Sequence, residues 1–279
     1  MAAGDKKSCP PPALRAPALR APARPRPKLP HARRTKHSYG VLVVDFDAAT
    51  GRPVGLFNRR RYTYAYADLV HDHVSGRRGD RAVGAALART TVDEKLLLRT
   101  LDFQRIFAHI WGYGHFGTPL FAAKQRAFVG RFVAPDGGRR FVQLVDDAPS
   151  AATQWEIPKG RPDAGETPLD CAVRETREET GVDAAAYRLF PEFRLTEDVA
   201  HGDTNYRMTY FLAVARGHVR PTVLCRRRAQ VAEVAEVRWL GLAELRALDG
   251  APGARQLAPL VKGAFRYARR RVRARRALA

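Results

Sequence analysis

The stretch from Gly160 to Val182 constrains the chain most, because it encodes a helix together with an acidic face on that helix. Thr167 suits an N-cap, Pro168 the first helical position, and Asp170 completes a Thr-x-x-Asp capping box. Gly181 can take the left-handed conformation that ends helices, so the spacing predicts a helix over 168–180. Glu175, Glu178 and Glu179 then share one face, while Leu169, Ala172, Val173 and Thr176 form a less polar stripe able to pack on a sheet. Three carboxylates on one face repel each other unless cations sit among them, and Arg174 and Arg177 offer part of that relief. Carboxylate oxygens are hard ligands, and Mg²⁺ takes a few of them while keeping water and phosphate oxygens in its shell. The cluster therefore reads as a metal-binding face beside a phosphate; the plainer alternative is a solvated acidic helix.

Charge elsewhere runs the other way. The 279 residues carry a formal net charge of +21. Residues 1–38 hold ten Lys or Arg against Asp5 alone, and residues 262–279 hold eight with no acid, which leaves only +4 for everything between. A Pro-Ala-Leu-Arg-Ala repeat within residues 12–25 offers too little apolar surface to fold and is expected to be disordered or extended. Basic, acid-poor N-termini also occur in mitochondrial targeting peptides, but these prolines spoil an amphipathic helix. At the other end, Leu260, Val261, Ala264, Phe265 and Ala268 make a packing stripe before the nearly continuous cations of Arg269–Arg276. Both ends suit phosphate backbones; solubility or nuclear localisation are the bland alternatives. Cys9, Cys171 and Cys225 are odd in number and fit no metal spacing, which argues against a disulfide framework. Cys171 reads as a small buried thiol. No apolar run approaches the ~18 residues of a membrane span. The composition suits an intracellular, non-membrane protein.

Tyr39–Phe46, the turn Gly51-Arg52-Pro53 and Val54–Asn58 read as a β-hairpin. About ninety residues, Tyr66–Gln154, then intervene before Trp155-Glu156-Ile157-Pro158-Lys159-Gly160. A structureless loop of that length is improbable, and the run around Lys95–Leu101, with Asp93 as candidate cap, is helical in pattern. Lys124, Arg126, Arg131, Arg139 and Arg140 are interleaved with Phe121, Phe128 and Phe132, which fits RNA or simply the core of a helical subdomain.

The spacing Gly160, five residues, Glu166, seven residues, Arg174-Glu175, two residues, Glu178-Glu179, one residue, Gly181-Val182 resembles the Nudix box. Thr176 stands where that pattern has an aliphatic residue. With Leu97–Phe103, His109-Ile110-Trp111, Trp155–Gly160 and Leu189–Phe193, the chain over about 36–267 resembles the mRNA-decapping Nudix enzymes of large cytoplasmic DNA viruses.

This resemblance implies an α/β fold, a Nudix α/β/α sandwich with a mixed sheet, plus an inserted mainly helical subdomain. The corresponding layout is a basic tail over 1–37, a first sandwich part over 38–65, the insertion over 66–150, the second part over 151–268 and a basic end over 269–279. It implies Glu175, Glu178 and Glu179 as ligands for Mg²⁺ or Mn²⁺, with Gly160, Glu166 and Arg174 bracing the site. A general base is expected from a later loop, where Glu233 is preferred over Glu236. The implied reaction releases 7-methylguanosine diphosphate from capped mRNA in the host cytoplasm, with Lys36, Lys124 and Arg126 as RNA contacts. Tyr62, Tyr64, Phe193 and Tyr206 are candidates to stack on the cap base. Two other readings stay open: hydrolysis of diphosphoinositol or dinucleoside polyphosphates, and an RNA-binding protein with an inactive box. A homodimer is left open as well.

Overall fold

The structure, a computed structural model, describes residues 34–74, 79–201, 204–223, 233–249 and 256–276. The Pro-Ala-Leu-Arg-Ala repeat, Cys9 and Cys225 lie outside these residues.

Strands β1 (Arg34–Phe46) and β2 (Pro53–Arg60) are joined by a turn in which Asp47 accepts from both the amide and the hydroxyl of Thr50, at 2.8 and 2.6 Å. They pair antiparallel only near that turn, from Val44↔Gly55 to Phe46↔Pro53, and then diverge. The fork is filled by two short strands, β3 (Trp155–Glu156) on β2 and β4 (Lys159–Gly160) on β1. β5 (Tyr187–His201) pairs antiparallel with β6 (Thr204–Ala215), which runs parallel to β1; β7 (Val234–Gly241) covers the outer edge of β2. Among the described residues this is a seven-stranded mixed sheet.

β1 begins five residues before the expected Tyr39, so residues 34–37, expected in the tail, are strand. They pair with Thr204–Arg207 of β6. A backbone ladder needs no apolar side chains, and the partner that supports this polar extension is remote in sequence.

Alternation along the strands feeds two cores. On one face Val41, Val43 and Leu56 pack with Ala172 of helix α7 (Pro168–Thr180). On the other, Leu42, Val44 and Phe57 pack with Leu245 of α8 (Leu242–Asp249) and with Val261, Ala264, Phe265 and Ala268 of α9 (Leu257–Arg276). The C-terminal stripe is thus a docked helix, and together the layers make an α/β/α sandwich. None of the described helices is long and apolar enough to cross a membrane.

Between β2 and β3 lies the helical insertion, α1 (Tyr64–His71), α2 (Asp80–Leu87), α3 (Val92–Arg99), α4 (Phe103–Trp111), α5 (Pro119–Phe128) and α6 (Arg139–Asp147). It starts two residues before the expected Tyr66, because the Thr63 hydroxyl accepts from the Tyr66 amide at 3.1 Å and caps α1. α3 is capped by Thr91, in a reciprocal box with Glu94, rather than by Asp93, which falls in its first turn. Phe121, Phe128 and Phe132 belong to a buried cluster with Phe103, Phe107 and Phe141, so these rings are core and do not face RNA. Neighbouring residues of α3 close both ends of the insertion. Buried Glu94 accepts from the hydroxyl of Thr63, and Lys95 donates to the carbonyls of Ala148 and Pro149.

Candidate active site

α7 forms as its caps dictate. The Thr167 hydroxyl accepts from the Asp170 amide at 3.2 Å, and Gly181 ends the helix at φ +70°. The capping box is not reciprocal: the Asp170 carboxylate accepts from the Thr167 hydroxyl at 2.6 Å. Cys171 and Ala172 are buried with Thr176 beneath the sheet. Thr176 accepts from the Val41 amide at 3.2 Å, and Val41 lies where β1 has left β4 and has not yet met β2. A hydroxyl in this aliphatic position thereby satisfies a buried backbone donor. Burial pushes the Cys171 thiol up to about 12, so it stays protonated and is no nucleophile.

The glutamates of the acidic face occupy unlike surroundings. Arg174 forks onto Glu166 at 2.8 and 2.9 Å, and through its other nitrogen meets Glu175 at 2.8 Å and Glu178 at 3.2 Å. Hydrogen bonds from Arg174 hold the Glu166 carboxyl down at about 2. Glu179 is turned inward and 6% exposed, and one of its oxygens accepts from the Asn58 amide and from the Lys159 backbone, both at 2.9 Å. Burial pushes Glu179 well above the usual carboxylate range, and the neighbouring Glu156 adds to this. Glu175 is raised by burial despite its bond to Arg174, with Glu178 and Glu233 acting in the same direction.

Two participants are not singled out by the acidic motif. Asn58 at the end of β2 supplies a donor to Glu179, and its own carbonyl oxygen is buried with no partner among the described residues. Glu156, 1% exposed on β3, gathers Arg60 at 3.2 Å, Tyr64 at 3.0 Å and Lys159 at 2.8 Å. Both lie at the mouth of the fork, where the sequence signal is only the Trp155–Gly160 run that fills it. Arg60 also stands over the rings of Tyr62 and Tyr64, at 5.2 and 4.2 Å. Tyr62 is buried in the insertion core, whereas Tyr64 is 44% exposed.

Glu233 and Glu236 separate clearly. Glu236 is held by Arg59 at 3.1 Å, on the ladder of β2 and β7. Glu233 is exposed just before β7, and its charge is felt by Glu175, Arg60 and Tyr62. Lys36 lies on β1 with its ammonium 5.7 Å from the ring of Tyr206, its register partner on β6. Lys124 and Arg126 are on α5, where Lys124 donates to the carbonyl of His71 at 2.7 Å and Arg126 is exposed. Phe193 packs on Tyr267 at 4.6 Å between ring centres.

Whether the face suits a hard divalent cation can be tested on the chain itself. Among the described residues no three His, Cys, Asp or Glu side chains are already gathered for a metal; Arg174 gathers Glu175 and Glu178 instead. The donor chemistry nevertheless fits. The side chains are carboxylates, two of them with charge that burial opposes, beside an orphaned carbonyl oxygen of Asn58. Gly160 also leaves the room required, since a Cβ there would fall 2.1 Å from the Glu175 carboxyl.

A family model for the NUDIX domain matches residues 124–261. A bis(5'-nucleosyl)-tetraphosphatase [asymmetrical] of Sus scrofa is 30% identical over 115 residues, 38% of this chain and 74% of that protein. The chain belongs to the Nudix hydrolase family. The mRNA-decapping protein g5R of African swine fever virus (isolate Tick/South Africa/Pretoriuskop Pr4/1996) is 29% identical over 243 residues, 85% of this chain and 95% of that protein. An Ap4A hydrolase of C. elegans has a TM-score of 0.40 and 12% identity, covering 81% of this chain and 93% of its own. The Nudix model starts inside α5 of the insertion, whereas the match to the viral protein is too long to leave the insertion out.

Proposed function

We propose that this Nudix hydrolase removes the cap of mRNA, releasing 7-methylguanosine diphosphate and 5'-monophosphate RNA. The observation that carries this reading is the extent of the match to the viral decapping protein, 95% of its length. The tetraphosphatase match, at 38% of this chain, shares only part of the architecture.

Glu175, Glu178 and Glu179 would hold Mg²⁺ or Mn²⁺, with Arg174 released from Glu175 and Glu178 while it keeps Glu166. Such a cation, once bound, polarises phosphoryl oxygens and lowers the pKa of water. Glu233 is assigned as the base that takes the proton of the attacking water, since its charge already reaches Glu175. The water oxygen adds to phosphorus, the anhydride oxygen leaves with the bond electrons, and each product ends as a phosphate. Glu166 and Arg174 orient the helix that carries the ligands, a supporting task of the kind that tunes metal sites. Asn58 and the Lys159 backbone fix Glu179, and Gly160 leaves room for Glu175. Lys36 beside Tyr206 pairs a cation with a ring and so suits one nucleotide; Arg126 and Lys124 would meet the RNA body.

The test is product analysis with cap-labelled RNA and Mg²⁺ or Mn²⁺, run beside diadenosine tetraphosphate. Labelled 7-methylguanosine diphosphate, formed with the higher kcat/KM, is expected. Turnover of the dinucleotide or of a diphosphoinositol polyphosphate with no cap release would overturn the decapping assignment and leave the Nudix chemistry intact.

A further inference from the structure

The acidic face lies at one end of β2 and β7; unexplained cations lie at the other. There a cavity of about 510 Å³ opens between the β1–β2 turn, the junction of β7 with α8, and α9. Arg52, Arg246, Lys262, Arg266 and Arg269 line it, brought together from three separate segments. Its two carboxylates are spent locally: Asp47 holds Thr50 in the turn, and Glu244 accepts from the Gly241 amide at 2.8 Å. None of the five cations forms an ion pair with another described residue, and Arg266 makes only a long 3.4 Å contact to the Lys262 carbonyl. Val54 and Phe265 supply apolar lining.

We propose that this cavity binds a compact anion carrying several phosphate groups, at a site separate from the catalytic carboxylates. Five cations against the two carboxylates leave the lining at a net +3, and a multivalent anion relieves the repulsion that remains. Convergence on one concavity, with a volume in the ~300–1,000 Å³ range of small-ligand pockets, suits a compact ligand better than an extended strand. Val54 pairs with Gly241 at the cavity, and Asn58, four residues along β2, reaches Glu179. At about 3.3 Å per residue the two ends are roughly 13 Å apart along the strand, so one compact ligand does not fill both. A ligand here would tie the β1–β2 turn to α9 and stabilise the folded chain. The inference does not depend on capped RNA being the substrate.

The test is calorimetric titration of the full chain with inorganic tripolyphosphate in chelator, which silences hydrolysis. Saturable binding is expected in the wild type and in Lys159→Met, which alters the catalytic cleft. About a tenfold loss of affinity is expected in Arg52→Gln/Lys262→Gln, whose exposed side chains are outside any core. Melting curves should show both variants folded and a probe-induced rise that the double variant lacks. Equal binding by a folded double variant would overturn the proposal. So would loss confined to Lys159→Met, or a wild type that does not saturate with tripolyphosphate while the double variant loses affinity for uncapped RNA, which would make the cavity part of a nucleic-acid track.

Discussion

The acidic helix α7 and the helical insertion are both rich in charge, yet they treat it in opposite ways. In the insertion, Arg99 meets Asp146, Arg131 meets Asp72 and Arg140 meets Asp80, and Lys124 is bound to a carbonyl. On α7 a single guanidinium serves Glu166, Glu175 and Glu178, while Glu179 is buried against Glu156. The insertion pairs these charged groups within itself and is held by packed aromatic rings. The box helix leaves carboxylates short of counter-charge, a state that persists in a fold when a ligand supplies the remainder.

That contrast is tested most severely by Glu178→Gln. Cap release from labelled RNA should fall by about 10³-fold, or roughly 4 kcal/mol of barrier, with the melting temperature unchanged. A drop of only a few-fold would mean that the face is an ordinary acidic surface. Arg174→Lys comes next, since an ammonium cannot reproduce the bidentate fork on Glu166. Activity and Mn²⁺ affinity should each fall about 10–100-fold; full activity would show that the brace is dispensable.

The other side of the comparison predicts smaller effects of another kind. Ile106→Val, at a fully buried position of the insertion core, should cost about 0.5–1.5 kcal/mol in denaturant unfolding. Hydrolysis of a short capped dinucleotide should be unchanged; a fall in its kcat would couple the insertion core directly to the chemistry. Smallest is the response of His71, whose pKa is lowered to about 4 by burial, then by Lys124 and His73. The folded imidazole stays neutral where the unfolded one, with a pKa of about 6.5, takes up a proton. Stability from this group is therefore complete above that value and is lost as pH falls towards 4. Lys124→Ala should raise the His71 pKa and narrow the window, as followed by its imidazole resonances; a wild-type titration near the ordinary value would remove this claim.

Local signals made the box helix legible. Its caps lie within four residues of the turns they close, and its glutamate spacing is a property of the helix alone. Docking of α9 was legible for the same reason, through a stripe repeated at helical spacing. Asn58 and Glu156 were not, because their roles arise where β1 and β2 diverge and a distant segment enters the gap. Residues 34–37 lacked any apolar pattern and became strand through β6, some 170 residues further on. Lys124 shows the opposite limit. Its charge was plain in the sequence, but the carbonyl of His71 that engages it was not. The Thr176 departure from the box pattern likewise gained its meaning only from the Val41 amide that donates to it.

The central claim, that the face of α7 is short of cationic charge and takes a divalent metal, is tested most directly by calorimetric titration of the full chain with Mn²⁺. Saturable binding is predicted for the wild type, with loss of that binding in Glu175→Gln/Glu178→Gln at an unchanged melting temperature. Equal Mn²⁺ binding by that double variant, folded and otherwise intact, would contradict the account.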